Sequence, residues 1–307
     1  MEVDWRVRGA GRRGVLLGLA LGLAPLTSGS DEPARHLDRA RSALAAENLA
    51  AAQASLEAYV EEVPGSAESW LNLGLVRFAR QRFDESAEAL ERSVELDAAQ
   101  PRAFKALGRV QTARGRPAMA ERAFVEAARL DAKDAEARYL LGRLYQSEGR
   151  LVEAARFLAA AVELEPGSAR SLAFLGSVYY GLGEASRAEE LLRRAVSLNG
   201  GTPKPEAAPH LELGLFLQRT DRTQESVVQF TRAAEIDEAS ADARFELGRS
   251  LHRLGRLGEA GAALREALAI DPTDPRAHYL LGRVCYEEGD RECGDEHMEL
   301  AERERGR

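Results

Sequence analysis

One feature constrains this chain more than any other: a leucine–glycine pair that returns at a fixed interval. It stands at Leu73-Gly74, Leu107-Gly108, Leu141-Gly142, Leu175-Gly176, Leu213-Gly214, Leu247-Gly248 and Leu281-Gly282. Successive glycines lie 34 residues apart, except Gly176 and Gly214, which are 38 apart. Twelve residues after each glycine comes a small residue: Ser86, Ala120, Ala154, Ala188, Ser226, Ala260 and Gly294. Four further on comes a large one: Leu90, Phe124, Leu158, Leu192, Phe230, Leu264 and Met298. Three beyond that a small residue recurs, from Ser93 to Ala301. Glycine opposite a small residue lets two helix backbones approach closely, and the large residue fills the space beside them.

The period from Ala135 to Ser168 shows what each copy folds into. Leu140, Leu141, Leu144 and Tyr145 recur at helical spacing. Gly149 breaks the pattern where positive φ can turn the chain. A second run, Leu151, Ala154, Phe157, Leu158, Ala161, Val162 and Leu164, stops at Pro166. The unit is an antiparallel helix hairpin, which cannot bury its apolar face alone. With Trp70, Leu73, Gly74, Leu90, Tyr145, Ala154, Ala161 and Pro166 in place, the chain resembles the tetratricopeptide repeat (TPR) family. The resemblance covers seven repeats from Ala67 onward and a weaker copy at 33–66, where Arg39 takes the leucine slot and Tyr59 a small-residue slot. It implies an all-α fold, a right-handed superhelical solenoid of about eight antiparallel hairpins that holds protein partners in a concave groove. Apolar content of 45 % with only 6 % aromatic residues suits such an Ala/Leu-packed array.

The expected organisation runs as follows. Residues 1–30 read as a secretory signal peptide: Arg6, Arg8, Arg12 and Arg13, an apolar run from Val15 to Leu26, then small residues at Ser28 and Ser30. That run is short for a span, which needs about 20 residues. The alternative is an uncleaved N-terminal anchor. A degenerate first repeat occupies 31–66, four contiguous repeats 67–202, a Pro/Gly-flanked insertion 203–206, and three further repeats 207–307. The insertion reads more readily as a tolerated surface loop than as a hinge. The net charge of −8 argues against non-specific nucleic-acid binding.

Residues able to carry chemistry are few. His36, His210 and His278 occupy the slot of Trp70 and read as packing residues, and no histidine is set beside a nucleophile by spacing. A metal site joining Cys285, Cys293, His278 and His297 fails, because His278 and Cys285 lie about 10 Å apart along one helix. Cys285 and Cys293 flank the last hairpin turn, so either a disulfide joins them or a buried thiol stands beside a half-exposed one. No cofactor or enzymatic activity is expected.

The informative constellation is the groove that the family's first helices line. Arg109, Arg143, Arg249 and Arg283 each follow a repeat glycine; Lys105, Tyr139, Phe245 and Tyr279 stand three residues before one; Tyr180 and Tyr286 stand four after. Arginine beside aromatic rings suits a carboxylate-bearing or aromatic peptide, although the arginines could equally pair with acids such as Glu136 and Asp242. The lysine–asparagine clamp that some family members use for chaperone tails is not matched. The expected function is an exported, non-enzymatic scaffold that binds other proteins or peptide segments, acidic ones included. The alternative is a membrane-anchored subunit of an export or envelope assembly complex.

Overall fold

Every stretch with 3.6-residue apolar spacing becomes a helix, and each repeat becomes a pair of them. The computed structural model describes residues 32–306, so the leader expected at 1–30 lies outside the described residues. Among these the chain forms sixteen α-helices and no strand. In order they are α1 (Glu32–Ala45), α2 (Leu49–Glu62), α3 (Ala67–Ala79), α4 (Phe83–Leu96), α5 (Pro101–Ala113), α6 (Pro117–Leu130), α7 (Ala135–Ser147) and α8 (Leu151–Leu164). There follow α9 (Ala169–Gly181), α10 (Ala185–Gly200), α11 (Ala208–Arg219), α12 (Thr223–Ile236), α13 (Ala241–Arg253), α14 (Leu257–Ile270), α15 (Pro275–Glu288) and α16 (Arg291–Arg305). Odd-numbered helices open repeats and even-numbered helices close them. The weak first copy is a hairpin like the rest.

Local chemistry sets the helix ends. Five first helices begin at a side-chain cap that accepts a backbone N–H: Ser66, Asp134, Ser168, Ser240 and Asp274. Hairpin turns need one residue in the left-handed region. Gly115, Gly149, Gly183, Gly255 and Gly289 supply it in five repeats, while Glu47, Gln81 and Asp221 adopt it elsewhere at a steric cost.

The helices fall into two compact units, one ending at Arg150 and the other beginning at Leu151. Each is an all-α helical-repeat solenoid. In the first, Leu37, Leu44, Leu56, Val60, Leu73 and Val76 make one continuous apolar cluster across the first two hairpins. Its close approach sits at Gly74, where Ser86 Oγ donates to the glycine carbonyl at 2.6 Å and Leu90 fills the gap. In the second unit Phe245, Leu264, Leu268, Leu281 and Val284 join the last two hairpins. The insertion lies within this unit and is pinned by one buried side chain. Asn199 Nδ2 donates to Glu206 O and Asn199 Oδ1 accepts from Glu206 N, both at 2.8 Å.

The slot of Trp70 also does more than pack. Its ring N–H donates to Pro64 O at 2.9 Å, Arg138 donates to Ala132 O at 2.6 Å, and His278 Nε2 donates to Pro272 O at 3.0 Å. In each case the acceptor lies six residues back, in the turn between repeats, so the slot ties one hairpin to the next.

Charge links repeats as well. The second residue of successive first helices alternates in sign, Glu68, Arg102 and Glu136 in the first unit and Asp242 then Arg276 in the second. Arg102 lies 3.4 Å from Glu68, and Arg276 lies 2.8 Å from Asp242.

Candidate protein-binding faces

The residues expected to line a groove divide into two kinds once the helices are placed. Tyr139 and Phe245 are buried, at 4 % and 6 % exposure. They are not rings that a partner could touch, which corrects the expectation of an open aromatic stripe. Phe245 faces the helix that follows, in one cluster with Ala277, Leu280 and Val284 of α15. Tyr180 meets Phe216 of α11 edge-on at 5.3 Å. Tyr180 and Phe245 thus lie in seams between consecutive first helices of the second unit. The seam was missed because its burial depends on residues 34 positions further along, which no local spacing reports. Tyr279 and Tyr286, in the last repeat, remain exposed.

The cations occupy the wet side of the same helices, and acids meet most of them. In the first unit Lys105 Nζ lies 2.8 Å from Asp134 and 2.7 Å from Glu136, and Arg109 pairs with Glu136. Burial opposes the charge on Lys105, but the two carboxylates outweigh it and hold its ammonium above the ordinary lysine range. Arg143 stacks over Tyr139 at 5.8 Å. Nearby, burial and then the 2.8 Å bond to Glu121 push the Tyr145 hydroxyl up to about 12.

In the second unit Arg249 lies 2.6 Å from Glu246 and donates to Gln218 Oε1. Gln218 is buried and passes the network inward, donating to Ser250 Oγ at 2.9 Å, which is 3.0 Å from Ser226 Oγ. Glu246 is buried as well, and burial raises its carboxyl above the usual range despite Arg249. Arg253 reaches Asp221 at 2.9 Å, His252 reaches Glu287 at 2.9 Å, and Arg283 reaches Glu287 at 3.3 Å. The face is therefore a ladder of matched charges rather than a positive strip.

The last hairpin holds the cysteine pair. Cys285 and Cys293 are joined as a disulfide, with Cα atoms 5.8 Å apart. His278 Nδ1 and His297 Nδ1 come within 3.0 Å of each other. Because His278 Nε2 must donate to a carbonyl, its Nδ1 accepts when neutral and His297 Nδ1 donates. Among the described residues, no group of three or more His, Cys, Asp or Glu side chains is placed to hold a metal ion. No helix among them is long and apolar enough to cross a membrane.

Three family profiles match the repeats, two described as tetratricopeptide repeat (residues 37–101 with 105–169, and 146–205) and one as TPR repeat (residues 248–289). The chain belongs to the tetratricopeptide repeat family. A search of curated proteins returned no match. Among solved structures it is similar to a chain of the APC/C hetero-tetramer Cut9–Hcn1, with TM-score 0.65 and 20 % identity over 88 % of this chain. It spans 55 % of that chain's length. It is similar to yeast Tom70 (TM-score 0.67, 18 % identity, 94 % of this chain and 65 % of that one). A TPR protein from Parabacteroides merdae ATCC 43184 also matches (TM-score 0.69, 13 % identity, 82 % of this chain and 98 % of that one). At these identities the likeness is one of fold. The fold of this TPR chain is that of a protein-interaction scaffold.

Proposed function

We propose that this TPR protein is an exported, non-enzymatic scaffold that binds an extended segment of another protein along the wet faces of its first helices. The observation that carries the reading is the ladder of charge pairs, Arg109–Glu136 and Lys105–Glu136 in one unit and Arg249–Glu246 and Arg283–Glu287 in the other. The pairs exposed on both sides, Arg109–Glu136 and Arg283–Glu287, are worth about 0–1 kcal/mol each, whereas Glu246 and Lys105 are buried enough to hold their partners more firmly. Carboxylates on an incoming segment can therefore take over Arg109 and Arg283 at little cost, and arginine offers them paired donors.

The test uses the full chain as bait in an extract of its native host, with captured chains identified by mass spectrometry. Arg109→Glu in one unit and Arg249→Gln combined with Glu246→Gln in the other should lose the same prey while the melting temperature holds, since the combined change leaves no buried carboxylate unpaired. Capture of unchanged prey by both variants rules the face out.

Export rests on the basic–apolar–small order of residues 1–30 and fits a disulfide that persists in an oxidising compartment. Intact mass from the native host should show a chain beginning at or near Asp31. A soluble cytoplasmic species beginning at Met1 refutes export.

A further inference from the structure

Within the second unit each first helix is met by the next along one stripe, made of the residues three before, one after and four after its repeat glycine. On α9 the stripe ends in Tyr180, met by Phe216 of α11. On α11 it ends in Gln218, bonded to Ser250 and Arg249 of α13. On α13 it is Phe245, Arg249 and His252, and two side chains of α15 reach it. The Arg276 guanidinium lies 4.7 Å from the Phe245 ring centre, and Glu287 lies 2.9 Å from His252 Nε2.

The same stripe on α15 is Tyr279, Arg283 and Tyr286, and among the described residues no further first helix follows it. Tyr279 is 44 % exposed and Tyr286 42 %, against 6 % for Phe245 in the matching slot. The chain itself covers part of the strip: one side of the Tyr286 ring packs on Gly294 of α16, and Arg283 lies 3.3 Å from Glu287. Arg305 stands 6.0 Å from the Tyr279 ring centre, and Asp295 accepts from the Tyr286 hydroxyl at 2.5 Å. Tyr–Arg–Tyr over two turns makes an amphipathic strip of the kind that interfaces favour.

We propose that this strip docks an amphipathic helix of another protein, seated as a ninth first helix would be. The covering helix in the previous seam dictates its chemistry: an arginine or lysine in its first turn to lie over Tyr279, and an acid eleven residues later at the Tyr286 end of the strip, the position where Glu287 meets His252, one turn from Arg283. This is the spacing of Arg276 and Glu287 on α15, three helical turns. The chain does not supply such a helix to a second copy of itself end to end. On α1, Ala34 and Ala45 stand in the slots of Arg276 and Glu287. In residues 1–31 no arginine has an acid eleven positions on. The site lies at the end of the array, shares only Arg283 with the face described above and does not depend on that reading.

The probe is a lactam-stapled, fluorescein-labelled peptide of sequence Pro275–Glu288 with serine in place of Cys285, titrated with the full chain and followed by anisotropy. Saturable binding is expected. Tyr279→Ala with Tyr286→Ala in the full chain should weaken it roughly tenfold. Arg283→Glu in the full chain should weaken the same peptide yet restore binding of a peptide carrying Glu287→Arg, a rescue that misfolding cannot produce. Absence of saturable binding, or binding that these changes leave untouched, overturns the proposal. So does concentration-dependent self-association in sedimentation that Tyr279→Ala abolishes, since the occupant would then be a second copy.

Discussion

Gln81 holds its backbone at φ 62°, a conformation in which its Cβ crowds the following carbonyl. Left-handed backbone costs a non-glycine residue roughly 1–2 kcal/mol, and glycine returns part of that through its freer unfolded chain. Gln81→Gly should therefore stabilise the protein by up to about 1 kcal/mol, read as a higher urea midpoint. Asp221→Gly should gain less, because Asp221 also holds Arg253 at 2.9 Å. A glycine in a helix asks the opposite question. A Cβ at Gly74 would meet Leu90 Cγ at 2.6 Å and Cδ2 at 2.8 Å, with Leu90 fully buried. Gly74→Ala should cost about 1–3 kcal/mol in thermal or urea melts. Gly74→Ala with Leu90→Ala should cost less than the two separately, since the second change makes room for the first. The pairing of each repeat glycine with the large residue sixteen positions on was legible in the sequence, because both partners lie within one hairpin. The burial of Tyr139 and Phe245 was not, because the atoms covering Phe245 belong to the next repeat.

At the level of single helices, α13 carries a charge in the wrong medium. Burial lifts the Glu246 carboxyl above its ordinary range, so the folded state binds its proton more tightly than the unfolded chain does. As pH rises through the ordinary carboxylate range the unfolded state ionises first, and stability falls until pH passes the raised value. Glu246→Gln should remove that fall. The two proteins should match near pH 4, with the variant the more stable at pH 7 in urea titrations. The hairpin of α15 and α16 depends on its disulfide instead. Closing a loop of this size is worth about 2–3 kcal/mol by the chain-entropy account. Reduction should release α16 first, seen as faster amide hydrogen exchange in Arg291–Arg305 while the α9–α14 amides keep their protection. The sequence placed these two cysteines on facing sides of one turn but left their state open. Spacing shows that a bond is feasible without showing which way the side chains point. The insertion after α10 was legible in Gly200, Gly201, Pro203 and Pro205. The two hydrogen bonds of Asn199 that fasten it were not, since Asn199 sits where other repeats simply end a helix.

For the molecule as a whole, stability accumulates from hairpin to hairpin, so each seam contributes its own term. Repeat modules of equal length invite the idea that they can be cut out or added freely. The alternating column Glu68, Arg102, Glu136 says otherwise, because it gives the array a parity. Excising residues 101–134 keeps the hairpin rhythm but sets Glu68 against Glu136, two acids where an attraction stood. Excising 67–134 sets Ala34 there and leaves no like pair. The one-repeat deletion should melt below the two-repeat deletion once the length difference is allowed for, and Glu136→Lys should recover part of the loss in the first alone. Equal recovery in both would show that the column carries no register. A chain with this column gains or sheds repeats more easily in twos than singly.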